Sequence, residues 1–257
     1  MILKERAGVL WNDIIAEPNR EIKSAQILKD LEKRKNGKPL SKIYKQKEFY
    51  GLTFKTNEHT LDPRPDSETL IDVVLDHYKD KIPPKTILDL GTGTGCLILT
   101  LLKNFPDAVA TAVDISKDAL SIAEENAKTH NLDDRITFIQ SNWSEKIDES
   151  FDLVISNPPY IASNVIPNLD KEVKNYDPIL ALDGGFDGMQ AYELIFSDLF
   201  SLLNDDGFAV FEIGFDQVSQ IERLSKKYKI RINALHRDLA GNPRVVDILK
   251  SYVSGDK

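Results

Sequence analysis

Short apolar strands alternate with helical segments from Thr86 onward, and this alternation constrains the fold more than any other feature of the chain. Between the first three apolar runs, CLILTLLKNF and SKDALSIAEENAKTH carry apolar residues at helical spacing. Such alternation is typical of a parallel sheet with helices on both faces, so the sequence predicts an α/β fold. The predicted strands are TILDL (86–90), ATAVDI (110–115), RITFIQS (135–141), FDLVIS (151–156) and GFAVFEI (207–213).

The two ends of the chain depart from this alternation. The tail KYKIRINALHRDLAGNPRVVDILK (227–250) predicts two strands joined by a Gly-Asn-Pro turn, expected as an antiparallel hairpin at the sheet edge. Toward the front, EFYGLTFKT (48–56) predicts a short hairpin. Asp66 is then expected to cap a helix. The predicted inward face of that helix is Leu70, Ile71, Val74, Leu75 and Tyr78.

Residues 1–47 are polar with helical periodicity, and part of this segment is strongly basic. From Lys29 to Lys47 there are eight Lys or Arg residues against two acids. A solvated helical face is the simpler interpretation, and a docking patch for an acidic or RNA-rich partner is the alternative.

The composition excludes several classes of function. The chain of 257 residues has a formal net charge of -8, so its surface as a whole repels a phosphate backbone. With a single cysteine and four scattered histidines, it offers no disulfide and no metal-ligand spacing. Charged residues interrupt the first ten positions and no apolar run is long enough to span a membrane, so we expect a cytoplasmic protein.

The segment ILDLGTGTGCLILT (87–100) is a strand that enters a glycine loop and then a helix. Missing side chains in such a loop allow backbone N–H groups to approach a ligand. The spacing G-x-G-x-G departs from the dinucleotide pattern G-x-G-x-x-G, because the sixth position is Cys96. That cysteine is interpreted as a small buried residue at the helix start, with a reactive thiol as the alternative.

An acid close to the loop narrows the choice of ligand. Asp89 would repel a pyrophosphate and attract an ammonium group. A ligand that joins adenosine to an amino-acid cation fits better, and S-adenosylmethionine is such a ligand. The predicted cofactor contacts from this segment are Asp89, Gly91, Thr92, Gly93, Thr94 and Gly95.

Polar and aromatic residues follow the next two predicted strands. Asp114 can accept hydrogen bonds from both ribose hydroxyls, although a strand-end Asp is more often a helix cap. Asn142 can pair with the edge of an adenine and Trp143 can cover its face, although a lone Trp is usually a core residue. Their order along the strands supports a cofactor site at this edge of the sheet.

The tetrapeptide Asn157-Pro158-Pro159-Tyr160 follows the fourth predicted strand, at the same edge as the glycine loop. The side-chain oxygen of Asn157 and the carbonyl of Pro158 can accept both N–H bonds of a planar NH₂ group. Proline has no N–H to compete, and Tyr160 can stack on the flat group. A stiff turn is the simpler alternative. The tetrapeptide alone does not distinguish an amino group on a nucleobase from a side-chain amide.

Beyond the tetrapeptide, the chain resembles the PrmC/HemK family of glutamine-specific protein methyltransferases, which act on the Gly-Gly-Gln motif of peptide chain release factors. The resemblance runs from about Leu31 to the end. It rests on GKPLSKI, EFYGLTF, PRPDSETL (63–70), ILDLGTGTG, AVDIS, NPPYI, ALDGGFDGM (181–189), FEIG (211–214) and RDLAGNPRVV (237–246).

The resemblance implies a fold, a cofactor and a substrate. The fold would be a seven-stranded Rossmann-like class I methyltransferase domain (66–257), with a small N-terminal helical domain (1–47) and a linking β-hairpin (48–65). Gly91 to Gly95, Asp114, Trp143 and Asn157 match the family's S-adenosylmethionine contacts, and Asn157 to Tyr160 match its glutamine site. Arg64, within Pro63 to Asp66, matches the family's cover over the cofactor. Release factors are the implied partners of an expected monomer, with no direct nucleic-acid substrate.

Departures from the family pattern leave alternatives open. Asn142 stands where the family usually has Asp, Asp62 replaces Ile, and Asp177-Pro178 stands for Glu-Pro. The helical domain is expected to be short at its start. An adenine-N6 or guanine-N2 nucleic-acid methyltransferase, a ribosomal-protein glutamine methyltransferase and a cofactor-binding protein without turnover are the competing functions. Glu212, at the end of the fifth strand, is either a residue behind the site or a strand-end acid, and the sequence assigns it no role.

Overall fold

The computed structural model describes residues 2–17, 19, 21 and 25–250. The described residues leave out 1, 18, 20, 22–24 and 251–257. These positions belong to the predicted N-terminal helical domain and to the end of the predicted methyltransferase domain. The front is helical and leads into an antiparallel hairpin, as predicted. Its elements are α1 (Ile2–Ala7), α2 (Trp11–Ala16), α3 (Ala25–Lys35), α4 (Leu40–Tyr44), β1 (Gln46–Phe49) and β2 (Leu52–Lys55).

A seven-stranded sheet forms the centre of the molecule. Its strands are β3 (Thr86–Leu90), β4 (Val109–Asp114), β5 (Ile136–Gln140), β6 (Phe151–Ser156), β7 (Leu203–Glu212), β8 (Ile232–Arg237) and β9 (Pro243–Leu249). In the order β5-β4-β3-β6-β7-β9-β8, all strands run parallel except β9, which is antiparallel to its neighbours β7 and β8. The predicted α/β fold and edge hairpin are confirmed. The fifth strand starts four residues earlier than predicted, because Leu203 pairs with Phe151 across a register shift.

Helices cover both faces of the sheet. They are α5 (Glu68–Tyr78), α6 (Cys96–Asn104), α7 (Lys117–Thr129), α9 (Gln190–Leu202) and α10 (Val218–Lys227), whereas the short helix α8 (Lys171–Tyr176) has no buried residue. One core cluster joins Ile87 of β3 to α5 and α6, and the other joins Leu88 to α9 and α10. Because adjacent strand residues point to opposite faces, the continuous apolar strands fill both clusters.

The entry into α5 differs from the prediction that Asp66 caps it. A 3₁₀ turn over Pro65–Ser67 precedes the helix, and the capping position belongs to Ser67. Asp66 instead lies 3.3 Å from the Arg244 guanidinium of β9. The predicted inward face is largely confirmed, since Leu70, Ile71 and Val74 are fully buried.

The basic segment 29–47 is not uniformly a solvated face. Lys42 of α4 is buried, and its Nζ lies 2.9 Å from Asp62 Oδ1 and 3.4 Å from Asp177 Oδ1. Arg64 Nη2 lies 2.5 Å from the other carboxylate oxygen of Asp177, Oδ2. This buried ion cluster joins the helical front to the segments that border the site described below. Among the described residues, no helix is both long and apolar enough to cross a membrane.

Candidate active site

A cavity of about 480 Å³ opens at the carboxyl ends of β3, β4 and β6, the edge where open parallel sheets bind ligands. It brings together ten of the predicted site residues: Arg64, Gly91, Thr92, Gly93, Thr94, Asp114, Asn142, Trp143, Asn157 and Pro159. The other four, Asp89, Gly95, Pro158 and Tyr160, do not line its wall. Most of the residues predicted for the cofactor therefore share one space with Asn157 and Pro159 of the predicted NH₂ site.

The glycine loop needs its glycines for two separate reasons. Gly91 has φ +79°, which most residues avoid, and a Cβ there would lie 3.3 Å from Cζ3 of Trp143. At Gly95, with φ +78°, a Cβ would lie 3.1 Å from Cδ1 of Leu99 at the start of α6. The loop can thus turn sharply while an indole ring and a helix pack directly against its backbone.

The backbone N–H groups of this loop are engaged within the protein. Those of Gly91 and Thr92 donate to the carbonyl of Val113 at 2.8 and 2.9 Å, and that of Gly95 donates to Thr92 at 2.8 Å. The Gly93 N–H donates to Asp114 Oδ2 at 2.9 Å. The expectation that backbone N–H groups are offered to a ligand is wrong for these four. The loop therefore lacks the donor array of a phosphate-binding loop.

Asp89 lies behind the loop as a buried carboxylate with one free oxygen. Thr92 Oγ1 donates to its Oδ2 at 2.7 Å, while its Oδ1 is buried without a hydrogen-bond partner. Burial raises the pKa of Asp89 to about 7. A cationic donor would satisfy that oxygen and stabilise the charge, whereas a phosphate would not. The site therefore fits a ligand with an ammonium group.

Asp114 joins the loop to the end of β4. Its Oδ2 accepts from Gly93 N–H and its Oδ1 from Ser116 N–H, both at 2.9 Å, and burial raises its pKa. Each oxygen retains a lone pair for a ligand at the cavity wall. The alternative role as a helix cap falls instead to Ser116, whose Oγ accepts from Ala119 N–H at the start of α7.

Asn142 and Trp143 follow β5 and border the same cavity. Asn142 donates its Nδ2 to Glu145 Oε1 at 2.6 Å, which leaves its Oδ1 to accept. Trp143 has φ +50°, a left-handed conformation that directs its indole against Gly91. Asn142 and Trp143 thus lie next to each other in the chain at the cavity wall, and their role in holding an adenine stays a prediction.

Asn157 belongs to a hydrogen-bonded chain that crosses three elements. Its Nδ2 donates to Ser67 Oγ at 3.1 Å, and Ser67 Oγ donates to Glu212 Oε2 at 2.5 Å. Tyr160 reaches the other oxygen of Glu212 at 3.4 Å, so its hydroxyl points toward β7. Tyr160 does not line the cavity, and the stacking of its ring on a substrate stays a prediction.

The loop 183–188 packs directly on the tetrapeptide. A Cβ on Gly184 would lie 2.7 Å from the Pro159 carbonyl oxygen, and Gly184 N–H donates to Ile161 at 2.8 Å. Gln217 Nε2 donates to the Tyr160 carbonyl at 2.8 Å. Since both sides of this backbone are held, its geometry is fixed before any ligand binds.

Sequence reasoning missed the partners of the predicted residues. Ser67 lies 90 positions before Asn157, and Asp177 lies 113 positions after Arg64, so neither contact follows from local spacing. Glu212 did give a signal, because a carboxylate inside the apolar run AVFEI is rarely buried without a partner.

Cys96, at the first position of α6, lines the cavity and is only partly buried. The expectation of a fully buried residue is therefore wrong, but desolvation raises the pKa of the Cys96 thiol to about 12, which favours an unreactive thiol over a reactive one. Within the ranges that the structure describes, no group of three or more His, Cys, Asp or Glu residues is placed to hold a metal ion.

Comparison with known proteins identifies the family. The model of the methyltransferase small domain matches residues 65–172. The chain is 39% identical to a release factor glutamine methyltransferase of Agrobacterium fabrum, across 96% of this chain and 87% of that protein. A protein of the same name from Caulobacter vibrioides is 36% identical, across 96% of this chain and 86% of its own length.

The chain belongs to the release factor glutamine methyltransferase family. A bifunctional methyltransferase of Rickettsia bellii is 35% identical across 96% of this chain, but the chain spans only 50% of that protein. The family resemblance inferred from the sequence motifs is thus confirmed.

Solved structures share the fold at low sequence identity. A methyltransferase from Pyrococcus furiosus superposes with a TM-score of 0.57 at 16% identity, covering 88% of this chain and 96% of that one. The catalytic domain of hMettl16, in complex with a MAT2A 3'UTR hairpin, gives a TM-score of 0.61 at 15% identity, covering 88% and 80%. This protein therefore has the expected Rossmann-like methyltransferase fold.

Proposed function

We propose that this protein transfers a methyl group from S-adenosylmethionine to the side-chain amide nitrogen of the glutamine in the Gly-Gly-Gln motif of peptide chain release factors. The observation that carries the proposal is the similarity across 96% of the chain to proteins named for that activity. The cavity supports it, since Asn157 and the glycine loop line the same space.

The residues that would hold the cofactor match its chemistry. Asp114 on the cavity wall would accept from the ribose hydroxyls, and Asp89, buried behind that wall with its Oδ1 unpartnered, would supply the negative charge that attracts the ammonium group. Asn142 and Trp143 would hold the adenine, with Arg64 beside the cavity mouth. When bound, S-adenosylmethionine supplies a methyl group on a positively charged sulfur.

The tetrapeptide would hold and orient the glutamine amide. An amide nitrogen is a poor nucleophile because its lone pair is delocalised into the carbonyl, so orientation matters more than a strong base. Asn157 Oδ1 and the Pro158 carbonyl would accept the two N–H bonds and leave the lone pair directed into the cavity. Pro159 and Tyr160 keep these acceptors rigid, since the loop 183–188 and Gln217 fix the backbone on both sides.

The surface beside the tetrapeptide favours a polypeptide over a nucleic acid. Leu180 lines the cavity and is 58% exposed, and Phe186 is 95% exposed in the loop that packs on Pro159. Exposed apolar side chains at a site typically mark contact with another protein. The net charge of -8 also favours a polypeptide over a nucleic acid, because it repels a phosphate backbone.

A competition between substrate classes tests the proposal. Purified protein is incubated with radiolabelled S-adenosylmethionine and, in parallel, with a bacterial release factor, ribosomal proteins, DNA or RNA. We expect label on the release factor alone, and a release factor with Gln→Ala in its Gly-Gly-Gln motif should remain unlabelled. Label on a nucleic acid or on a ribosomal protein, with none on the release factor, would assign the site to another substrate.

A further inference from the structure

We infer that Glu212 and Ser67 are positioning residues that set the direction of the Asn157 amide, so that its Oδ1 faces the cavity and its Nδ2 faces the protein. The inference deepens the proposed function and rests on it, because it requires that the side-chain oxygen of Asn157 accept an N–H bond of the substrate.

The three residues form a continuous chain shielded from water. Glu212 is 1% exposed and Ser67 is 2% exposed, so neither can exchange its partner for solvent. The chain runs from Asn157 Nδ2 to Ser67 Oγ at 3.1 Å, and from Ser67 Oγ to Glu212 Oε2 at 2.5 Å. It connects the end of β6, the 3₁₀ turn before α5 and the end of β7.

The direction of the chain follows from which groups can donate. A carboxylate only accepts hydrogen bonds, so the Ser67 hydroxyl must donate its proton to Glu212. Ser67 Oγ is then left with lone pairs alone and must accept from the amide. Only the Nδ2 of Asn157 can supply that hydrogen, and the Oδ1 consequently turns toward the cavity.

The alternative orientation shows why such control is needed. The two ends of an Asn side chain have nearly the same shape, and only hydrogen-bond partners distinguish them. A flipped Asn157 would present its NH₂ group to the substrate's NH₂ group, placing donor against donor. Glutamine binding would lose one of its two acceptors and gain a buried unsatisfied donor.

Directional control requires that Glu212 be ionised, and its surroundings bring ionisation close to neutral pH. Burial raises the pKa of Glu212 to about 7, although the hydrogen bond from Ser67 and the charge of Arg244 both lower it. Other titratable groups that act on it or face it are Asp66 before α5, Tyr160 after β6, Tyr192 on α9 and Cys96 on α6. A protonated Glu212 could donate to Ser67, and the direction of the chain would no longer be fixed.

The first test reads the amide itself and needs no substrate. In ¹⁵N-labelled protein saturated with S-adenosylhomocysteine, the side-chain NH₂ signals of Asn157, assigned by their loss in Asn157→Asp, are followed from pH 5 to pH 9. We expect a titration with a midpoint near 7 in the native protein, and its loss in Glu212→Gln and in Ser67→Ala. Signals that titrate unchanged in both variants would overturn the inference.

The second test separates positioning from binding and from folding. Glu212→Gln and Ser67→Ala should each lower kcat for release factor methylation by about 10- to 100-fold while the Kd for the cofactor stays within about threefold. Because the residues act in series, the double variant should be no slower than the slower single variant. Ser67→Thr, which keeps a hydroxyl, should recover kcat relative to Ser67→Ala.

Asp247→Asn is the matched control, because Asp247 is a buried carboxylate on β9 that bonds to His236 and Asn233 instead. It should retain the native kcat. Rate losses in the two single variants that multiply in the double variant, or a native rate in Glu212→Gln, would contradict the relay. A native protein that shows the amide titration but never labels release factor would refute the proposed function and leave the relay intact.

Discussion

Asp89 illustrates at the scale of one residue how a ligand site costs stability. Its carboxylate is buried with one oxygen unpartnered, although that arrangement is unfavourable in the unliganded protein. An unfolded Asp releases its proton near pH 4, whereas burial raises the pKa of Asp89 to about 7. The folded state therefore binds the extra proton between these values, and the free energy of unfolding falls as the pH rises through that window.

Replacement of this carboxylate should separate stability from binding. Without cofactor, Asp89→Asn should increase the free energy of unfolding at pH 8 by on the order of 2–3 kcal/mol, and should change it little at pH 4. The same change should raise the Kd for S-adenosylmethionine by at least about tenfold, because the ammonium loses its counter-charge. Urea unfolding and calorimetric titration measure the two effects. An unchanged Kd would show that the ammonium binds elsewhere.

The glycine loop shows at the scale of one element how backbone freedom and packing combine. Gly91 and Gly93 both have positive φ, but only a Cβ on Gly91 would press on Trp143. At Gly93 a Cβ would meet nothing within 4 Å. The pair therefore offers a comparison in which the backbone cost is similar and the contact differs.

Gly91→Ala should be more harmful than Gly93→Ala. We expect each substitution to cost about 1–2 kcal/mol from the left-handed backbone, and Gly91→Ala to cost about 1–3 kcal/mol more because the indole must move. Thermal unfolding measures the difference between the two, and cofactor titration should show weaker binding for Gly91→Ala. Equal melting temperatures for the two variants would show that Trp143 does not rest on the loop.

Element boundaries were predictable where apolar runs end abruptly, and less so elsewhere. The strands at 86–90 and 151–156 match the prediction to the residue, since polar or loop-forming residues bound them on both sides. The start of β7 was missed because Asn204, Asp205 and Gly207 are typical of a turn, yet Leu203 pairs with Phe151. Asp66 was assigned a cap because it precedes the helix, whereas Arg244 on a distant strand lies within ion-pair distance of it.

At the scale of the whole molecule, the buried cluster around Lys42 connects the helical front to the site. Lys42 lies between Asp62 and Asp177, and Asp177 in turn holds Arg64 beside the cavity. Asp62, which the resemblance predicts to stand where the family has Ile, has the buried lysine as its structural partner. The two form a charge pair between segments that are 20 residues apart.

Breaking this cluster should be costly unless both charges are removed. Lys42→Met should lower the free energy of unfolding by about 3–5 kcal/mol, because it leaves Asp62 buried without its cation and removes one of the two cations beside Asp177. Lys42→Met combined with Asp62→Ile should recover a substantial part of that loss. The exposed pair of Lys227 and Glu193 is a control, and Lys227→Met should change the stability by less than about 1 kcal/mol. Strict additivity of the single effects in a urea double-mutant cycle would contradict the coupling.

The same scale sets the limit of what the sequence could predict. Asn157, Asp114 and the glycine loop were identified because strand order brings their ends to one edge of the sheet. The partners that orient them could not be identified, since Ser67 and Glu212 meet only after the 3₁₀ turn before α5 packs against the end of β7. Lys42 likewise reads as one more charge in a basic segment until tertiary packing buries it.

Mass spectrometry of a release factor after incubation with the purified protein and S-adenosylmethionine tests the central claim most directly. The Gly-Gly-Gln peptide should gain the mass of one methyl group on its glutamine. Asn157→Ala, which removes the side-chain amide of a residue that lines the cavity, should reduce the rate by at least about 100-fold with little change in cofactor affinity. A glutamine that stays unmodified, or one methylated equally well by Asn157→Ala, would contradict the account.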